Sequence, residues 1–301
     1  MTYDAIVIGG SFAGLSAAMQ IARALRSVCV IDAGSPRNRF AAASHGFFGQ
    51  DGARPADMIR QAREKVCAYP TVTFVAGEAA SARAVEEGYG VVLASGDRLS
   101  ARKLVLAYGV SDVLPDLPGI SERWGKSVLH CPYCHGYEFA GKRLGVLNLR
   151  SGSLHQAQLL ADWGPTTFFL NGHENLDRAA RDKLGARGVV IEPAPVMELL
   201  GVAPDLASLH LADGRIVEID ALYIAPETRM NSPIADQLGC ALYDGPFGPV
   251  VQTDEWKLTS VPGVFAAGDI ARAPHNATWA SADGVTAGAA LHRSLVFDAA
   301  G

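Results

Sequence analysis

Tyr3-Asp4-Ala5-Ile6-Val7-Ile8-Gly9-Gly10-Ser11-Phe12-Ala13-Gly14 lies at the head of the chain, and its reading decides the fold. An apolar run of strand length meets a glycine turn and then the small-residue segment Leu15-Ser16-Ala17-Ala18-Met19-Gln20-Ile21-Ala22, which suits a helix lying close on a sheet. Strand, tight turn and helix in this order make the nucleotide-binding unit of a doubly wound α/β fold, where pyrophosphate rests on backbone N–H groups at the helix N-terminus. Ser11 stands at the middle glycine of the G-x-G-x-x-G pattern and is small enough to let phosphate approach. The next apolar strand, Val28-Cys29-Val30-Ile31, ends on Asp32, about twenty residues past the turn, where a carboxylate accepts hydrogen bonds from ribose hydroxyls. A plain βαβ turn would share the strand and helix. The acid at that spacing favours a nucleotide.

Outward from this unit, the next chemical signal is His130-Cys131-Pro132-Tyr133-Cys134-His135-Gly136-Tyr137-Glu138. Two thiols separated by two residues can close a small disulfide ring, and the flanking histidines can move the protons that thiol chemistry requires. Three other readings compete: a chance pair of buried cysteines, a zinc half-site, and haem attachment, whose C-x-x-C-H pattern Cys131 to His135 matches. Pro132 and Gly136 mark a turn or a loop leading to a helix, which argues against simple packing. A closed zinc site needs two more ligands, and no second C-x-x-C exists. The other cysteines, Cys29, Cys67 and Cys240, read as packing residues.

The whole chain narrows these choices. Its 301 residues, 49% of them hydrophobic, suffice for about two domains with buried cores. No apolar run approaches membrane-spanning length, and the chain enters a strand directly, with no signal peptide, so a cytoplasmic protein is expected and haem attachment after export is disfavoured. A net charge of -5 without a basic run makes nucleic acid an unsuitable partner. Further on, a helix is expected over about 54–68 and short strands between Val72 and Leu99, with turns at Glu87-Gly88 and Ser95-Gly96-Asp97. Pro115 and Pro118-Gly119 mark a crossing between domains.

Two more strands close on glycines: Leu104-Val105-Leu106-Ala107-Tyr108-Gly109 and Gly263-Val264-Phe265-Ala266-Ala267-Gly268-Asp269. With them the chain resembles the low-molecular-weight thioredoxin reductase family over nearly its full length. The resemblance implies two Rossmann-like, three-layer dinucleotide-binding domains. Residues 1–114 and 246–301 would form a discontinuous FAD-binding domain, and 115–245 an inserted NAD(P)-binding-like domain carrying the dithiol. It implies FAD held by Gly9, Gly10, Ser11, Phe12, Ala13, Gly14 and Asp32, a supporting strand at Ala107 and Gly109, and Gly268 with Asp269 at the ribityl chain. His275-Asn276-Ala277 falls where the family starts a helix against the flavin ring with Arg-Gln-Ala. Tyr108 replaces the family's Thr.

A second unit repeats the first and has lost its glycines. After the strand Lys142-Arg143-Leu144-Gly145-Val146-Leu147, an ungapped overlay puts Asn148 on Gly9, Arg150 on Ser11 and Ser153 on Gly14. In the resembling family this unit binds NADPH and carries paired arginines after the next strand. Here that strand, Thr166-Thr167-Phe168-Phe169-Leu170, leads to Asn171-Gly172-His173-Glu174. A side chain as long as Arg150 obstructs pyrophosphate unless it turns outward, so weak or absent NADPH binding is expected.

The Cys131–Glu138 string, with His45-Gly46-Phe47-Phe48-Gly49-Gln50-Asp51-Gly52, is most similar to the branch containing the gliotoxin, holomycin and romidepsin dithiol oxidases. That resemblance implies disulfide formation in a small-molecule dithiol through Cys131 and Cys134, with flavin passing electrons to oxygen or another acceptor, and a homodimer. His135 stands where thioredoxin reductases carry Asp and is the expected base, with His130, His45 and His275 weaker candidates. An NADPH-dependent reductase of thioredoxin or another protein disulfide uses the same dithiol with opposite electron flow. A non-catalytic flavin redox sensor is the remaining reading.

Overall fold

The computed structural model describes residues 2–173 and 176–297. Met1, Glu174 and residues 298–301, which fall inside segments discussed above, lie outside the described residues. Thr2–Ile8 is the centre of a seven-stranded sheet. Val28–Asp32 and then Val72–Ala76 lie parallel on one side of it, and Arg98–Leu106 lies parallel on the other. The upstream half of Arg98–Leu106 receives Gly88–Leu93 antiparallel, followed by Ala79–Val85, while its last residues pair with Val264–Ala266. Alternation along the central strands explains why they are apolar throughout. Ile6, Ile8, Cys29 and Ile31 face one buried core, and Ala5, Val7, Val28 and Val30 face another. Ile6 is fully buried, and its truncation to Ala would cost about 3 kcal/mol.

The helix Phe12–Arg23 covers the second of these faces. It packs on the long helix Ala277–Phe297, where Gly284 and Gly288 leave no room for a Cβ because the carbonyls of Ala13 and Ala17 sit against them. Nothing in the apolar pattern announces this approach, since it depends on two helices from opposite ends of the chain.

The inserted unit has its own five-stranded parallel sheet, ordered Val190–Glu192, Thr166–Phe169, Leu144–Leu147, Ala221–Tyr223, Val128–Leu129. Its first three strands repeat the order of Val72–Ala76, Val28–Asp32 and Thr2–Ile8, so the duplication read from sequence is present in the sheet. A three-stranded antiparallel meander, 196–218, rests beside it. The chain leaves and re-enters the first unit through one antiparallel ribbon, Val110–Val113 with Glu227–Met230. The return comes earlier than the expected residue 246. Ile234, Ala235 and Cys240 are buried in the first unit's core beside Val251, because the ribbon delivers the chain there ahead of the helix Ile234–Leu238.

Cys29 and Cys240 are buried as expected, but Cys67 is exposed. The helix Pro55–Cys67 buries Met58 and Val66, and its last residue falls off that stripe. Among the described residues no helix is long and apolar enough to cross a membrane.

Candidate active site

At the carboxyl ends of the first sheet's strands lies one cavity of about 480 Å³, within the range of cofactor sites and placed where open α/β sheets bind ligands. Gly9, Gly10, Ser11, Phe12, Ala13 and Asp32 line it, together with Ala107, Gly109, Gly268, Asp269, His275, Asn276 and Ala277, and with Cys131, Cys134 and His135. Residues from five separate stretches of sequence are thereby brought together. Gly14 is the exception and stands behind the turn, where a Cβ would overlap the Gly9 carbonyl oxygen.

The glycine turn is built for a ligand that approaches backbone. Gly9 has φ of 112° and lies against the Ala107 carbonyl, and an added Cβ on Gly10 would come within 2.6 Å of the Asp32 Cβ. The Gly10 N–H donates to Asp32 Oδ1 at 3.1 Å, which aims the carboxylate along the cavity wall. Gly268 has φ of 78° and turns the chain tightly beside Ala13, bringing Asp269 to the cavity. Asn276 caps the helix Ala277–Phe297 by accepting from the Thr278 N–H at 2.8 Å. Tyr108 also lines the cavity, with its hydroxyl reaching the core 3.8 Å from Met230 Sδ, and burial raises its pKa well above the ordinary range.

Arg37 is the residue that sequence reasoning missed. Its guanidinium donates through Nε to Asp112 at 3.0 Å and through a terminal nitrogen to Asp269 at 3.0 Å, with a second, shorter contact to Asp112. Burial opposes its charge, but the two carboxylates outweigh burial and raise its pKa further. Only the loop position after Asp32 hints at it, since its partners lie far along the chain.

The dithiol sits on a single turn. Cys131 precedes the short helix Pro132–His135, and its carbonyl accepts from the Cys134 N–H at 3.2 Å. The two cysteines are disulfide-bonded with Cα atoms 5.3 Å apart. Gly136 is required because Trp163 and the Pro132 carbonyl crowd it. His135 has its pKa lowered by burial, with Glu138 opposing the fall and His45 adding to it. His130 is pushed down to about 3 by burial and by Arg37, and burial also lowers His275. All three are therefore neutral at pH 7, and His135 is the one carried by the short helix of the dithiol turn.

The second turn carries side chains with partners of their own. Arg150 donates to the Pro246 carbonyl at 2.7 Å and pairs with Glu227 at 2.8 Å. Ser153, at the position equivalent to Gly14, is buried and accepts from the Leu149 N–H at 3.2 Å.

A cavity lined by a glycine cradle, a ribose-type acid and a redox dithiol defines an FAD-dependent disulfide oxidoreductase. Residues 3–148 and 167–284 match the pyridine nucleotide-disulphide oxidoreductase family, and the chain belongs to it. The chain is 34% identical to thioredoxin reductase sirT of Leptosphaeria maculans, covering 96% of this chain and 93% of that one. It is 33% identical to thioredoxin reductase tcpT of Claviceps purpurea, covering 98% and 95%. Among solved structures, an oxidoreductase from Agrobacterium tumefaciens superposes with a TM-score of 0.94 at 44% identity over 99% of both chains. HlmI gives 0.91 at 35% identity over 98% and 93%.

Proposed function

We propose that the protein oxidises dithiols to disulfides, with a small-molecule dithiol as substrate and oxygen or another acceptor as the final oxidant. The observation that supports this direction is the second turn, where Asn148, Arg150 and Ser153 stand at the positions of Gly9, Ser11 and Gly14 and the Arg150 side chain is engaged by Glu227 and the Pro246 carbonyl. The two spans of the family match also leave out residues 149–166, which hold that turn and its helix.

In the proposed cycle a substrate thiolate attacks Cys131 Sγ, the Cys131–Cys134 bond breaks, and Cys134 leaves as a thiolate. His135 takes the proton of the second substrate thiol, which displaces Cys131 and closes the substrate disulfide, so two electrons now reside on the enzyme pair. Gly9 to Ala13, Asp32, Asp269 and the 275–277 helix start would hold FAD, which when bound supplies the two-electron acceptor beside this dithiol.

Replacing His135 by Asn is expected to slow dithiol oxidation most below neutral pH. Without a base the reaction depends on pre-formed thiolate, which falls about tenfold per pH unit below the thiol pKa. An unchanged pH–rate profile removes His135 from the mechanism.

The second reading is an NADPH-dependent reductase of thioredoxin or a related disulfide, and the names of the relatives favour it more than the oxidase direction. Anaerobic mixing with NADPH separates the two: rapid loss of the flavin colour defeats the oxidase reading, and bleaching by a model dithiol alone supports it. A homodimer completes the proposal by family resemblance, and sedimentation checks it.

A further inference from the structure

The loop 44–53 belongs to the first unit and reaches across to the dithiol turn of the inserted one. Its base is closed by Ser44 N–H to the Ala53 carbonyl at 2.8 Å and Gly52 N–H to the Ser44 carbonyl at 2.9 Å. Inside it, Asp51 accepts from the Gly46 N–H at 2.9 Å. This fixed loop presents His45. Its Nε2 lies 3.3 Å from Glu138 Oε1, its Nδ1 lies 3.6 Å from Asp51 Oδ1, and its ring stands edge-on to His135 with centroids 6.3 Å apart. Glu138 of the inserted unit thus meets His45 of the first unit, and His45 in turn stands against His135, three residues before Glu138 in the chain.

The surrounding groups do not change this balance. His130, next to Cys131 in the chain, is held neutral chiefly by burial. The Tyr223 hydroxyl near Glu138 is likewise kept un-ionised by burial. Negative charge at Glu138 favours an imidazolium at His135, whereas His45 disfavours it and stands against the same carboxylate. An imidazolium beside a cysteine in turn favours its thiolate.

We propose that His45 and Glu138 are positioning residues which set, with opposite signs, the readiness of His135 to hold a proton beside the reduced Cys131 and Cys134. The step is a single proton transfer from a cysteine Sγ to a His135 ring nitrogen. No other bond is made or broken. The inference rests on the reading of His135 as the base.

The test is the pH dependence of iodoacetamide alkylation of the reduced holoenzyme, followed by mass. It is done in a Cys67→Ser background, because Cys67 is exposed while Cys29 and Cys240 are buried. Glu138→Gln is expected to raise the alkylation midpoint by about half a pH unit, slowing alkylation about threefold at a fixed pH below it. His45→Ala should lower the midpoint by a similar amount, and Glu138→Asp should restore most of it. Shifts of the same sign in the two variants, or none, overturn the proposal. Should Glu138→Gln fail to fold, His45→Ala decides alone: a lowered midpoint supports the proposal, and an unmoved or raised one defeats it. The assay uses no NADPH, oxygen or substrate dithiol, so its result is separate from the direction of electron flow. An unmoved midpoint in His135→Asn would instead remove the base role on which the proposal rests.

Discussion

The turns 9–14 and 148–153 leave corresponding strands, Thr2–Ile8 and Leu144–Leu147, and enter corresponding helices, Phe12–Arg23 and Gly152–Leu160. In the first, side chains are excluded: Gly9 lies on the Ala107 carbonyl, Gly14 lies on Gly9, and the helix start opens into the cavity. In the second, side chains have moved in, with Arg150 reaching the Pro246 carbonyl and Ser153 bonded to the Leu149 N–H. A parallel sheet keeps its topology whether or not its turn binds anything, because the topology rests on buried strands. The turn is therefore free to diverge while the sheet persists, and residues 148–153 differ from 9–14 at every position.

The sharpest way to break this comparison is Gly14→Ala, whose new Cβ meets the Gly9 carbonyl oxygen. Its expected outcome is protein purified without flavin colour, a loss of more than about 3 kcal/mol in cofactor binding. If the variant remains yellow, the first turn is less demanding than its geometry implies. Arg37→Met comes next, since it leaves the carboxylates of Asp112 and Asp269, both lining the cavity and partly buried, without their cation. About 3 kcal/mol of stability should disappear in urea unfolding, together with most of the bound flavin.

Arg150→Ala probes the second turn directly. Its partner Glu227 is largely exposed, so the stability cost should be about 1 kcal/mol. Measured flavin content should not change. Rapid anaerobic reduction by NADPH gained in this variant would identify Arg150 as the whole obstacle, whereas no gain would assign part of the loss to the missing glycines. Smallest of all is Gly152→Ala, at the first position of the second helix with nothing within 4 Å of its would-be Cβ. Thermal unfolding should move by no more than about 0.5 kcal/mol, upward. The same class of substitution would therefore be ruinous in one turn and harmless in the other.

Much of this contrast was legible in the sequence because it is local. Strand, turn and acid follow one another within Tyr3 to Asp32, and the loss of glycine at Asn148, Arg150 and Ser153 shows on direct overlay. What stayed hidden depends on partners distant in the chain. Arg37 acquires its role from Asp112 and Asp269, Gly284 and Gly288 from carbonyls of the first helix, and His45 from Glu138. Cys67 was misread for the opposite reason: helix membership was clear, but the face it occupies is set by where Met58 and Val66 point. The return point was placed late because Ile234 to Cys240 carry no signal stating which of two cores receives them.

The ribbon formed by Val110–Val113 and Glu227–Met230 has a consequence for protein engineering. Val113 and Glu227 are paired across it, so their Cα atoms stand about 5 Å apart, close enough for a two-residue hairpin loop to join them. The 113-residue excursion between them is therefore a cassette on a zipped stem, and a short loop could replace it, or an unrelated module be grafted in its place, without re-routing the remaining chain.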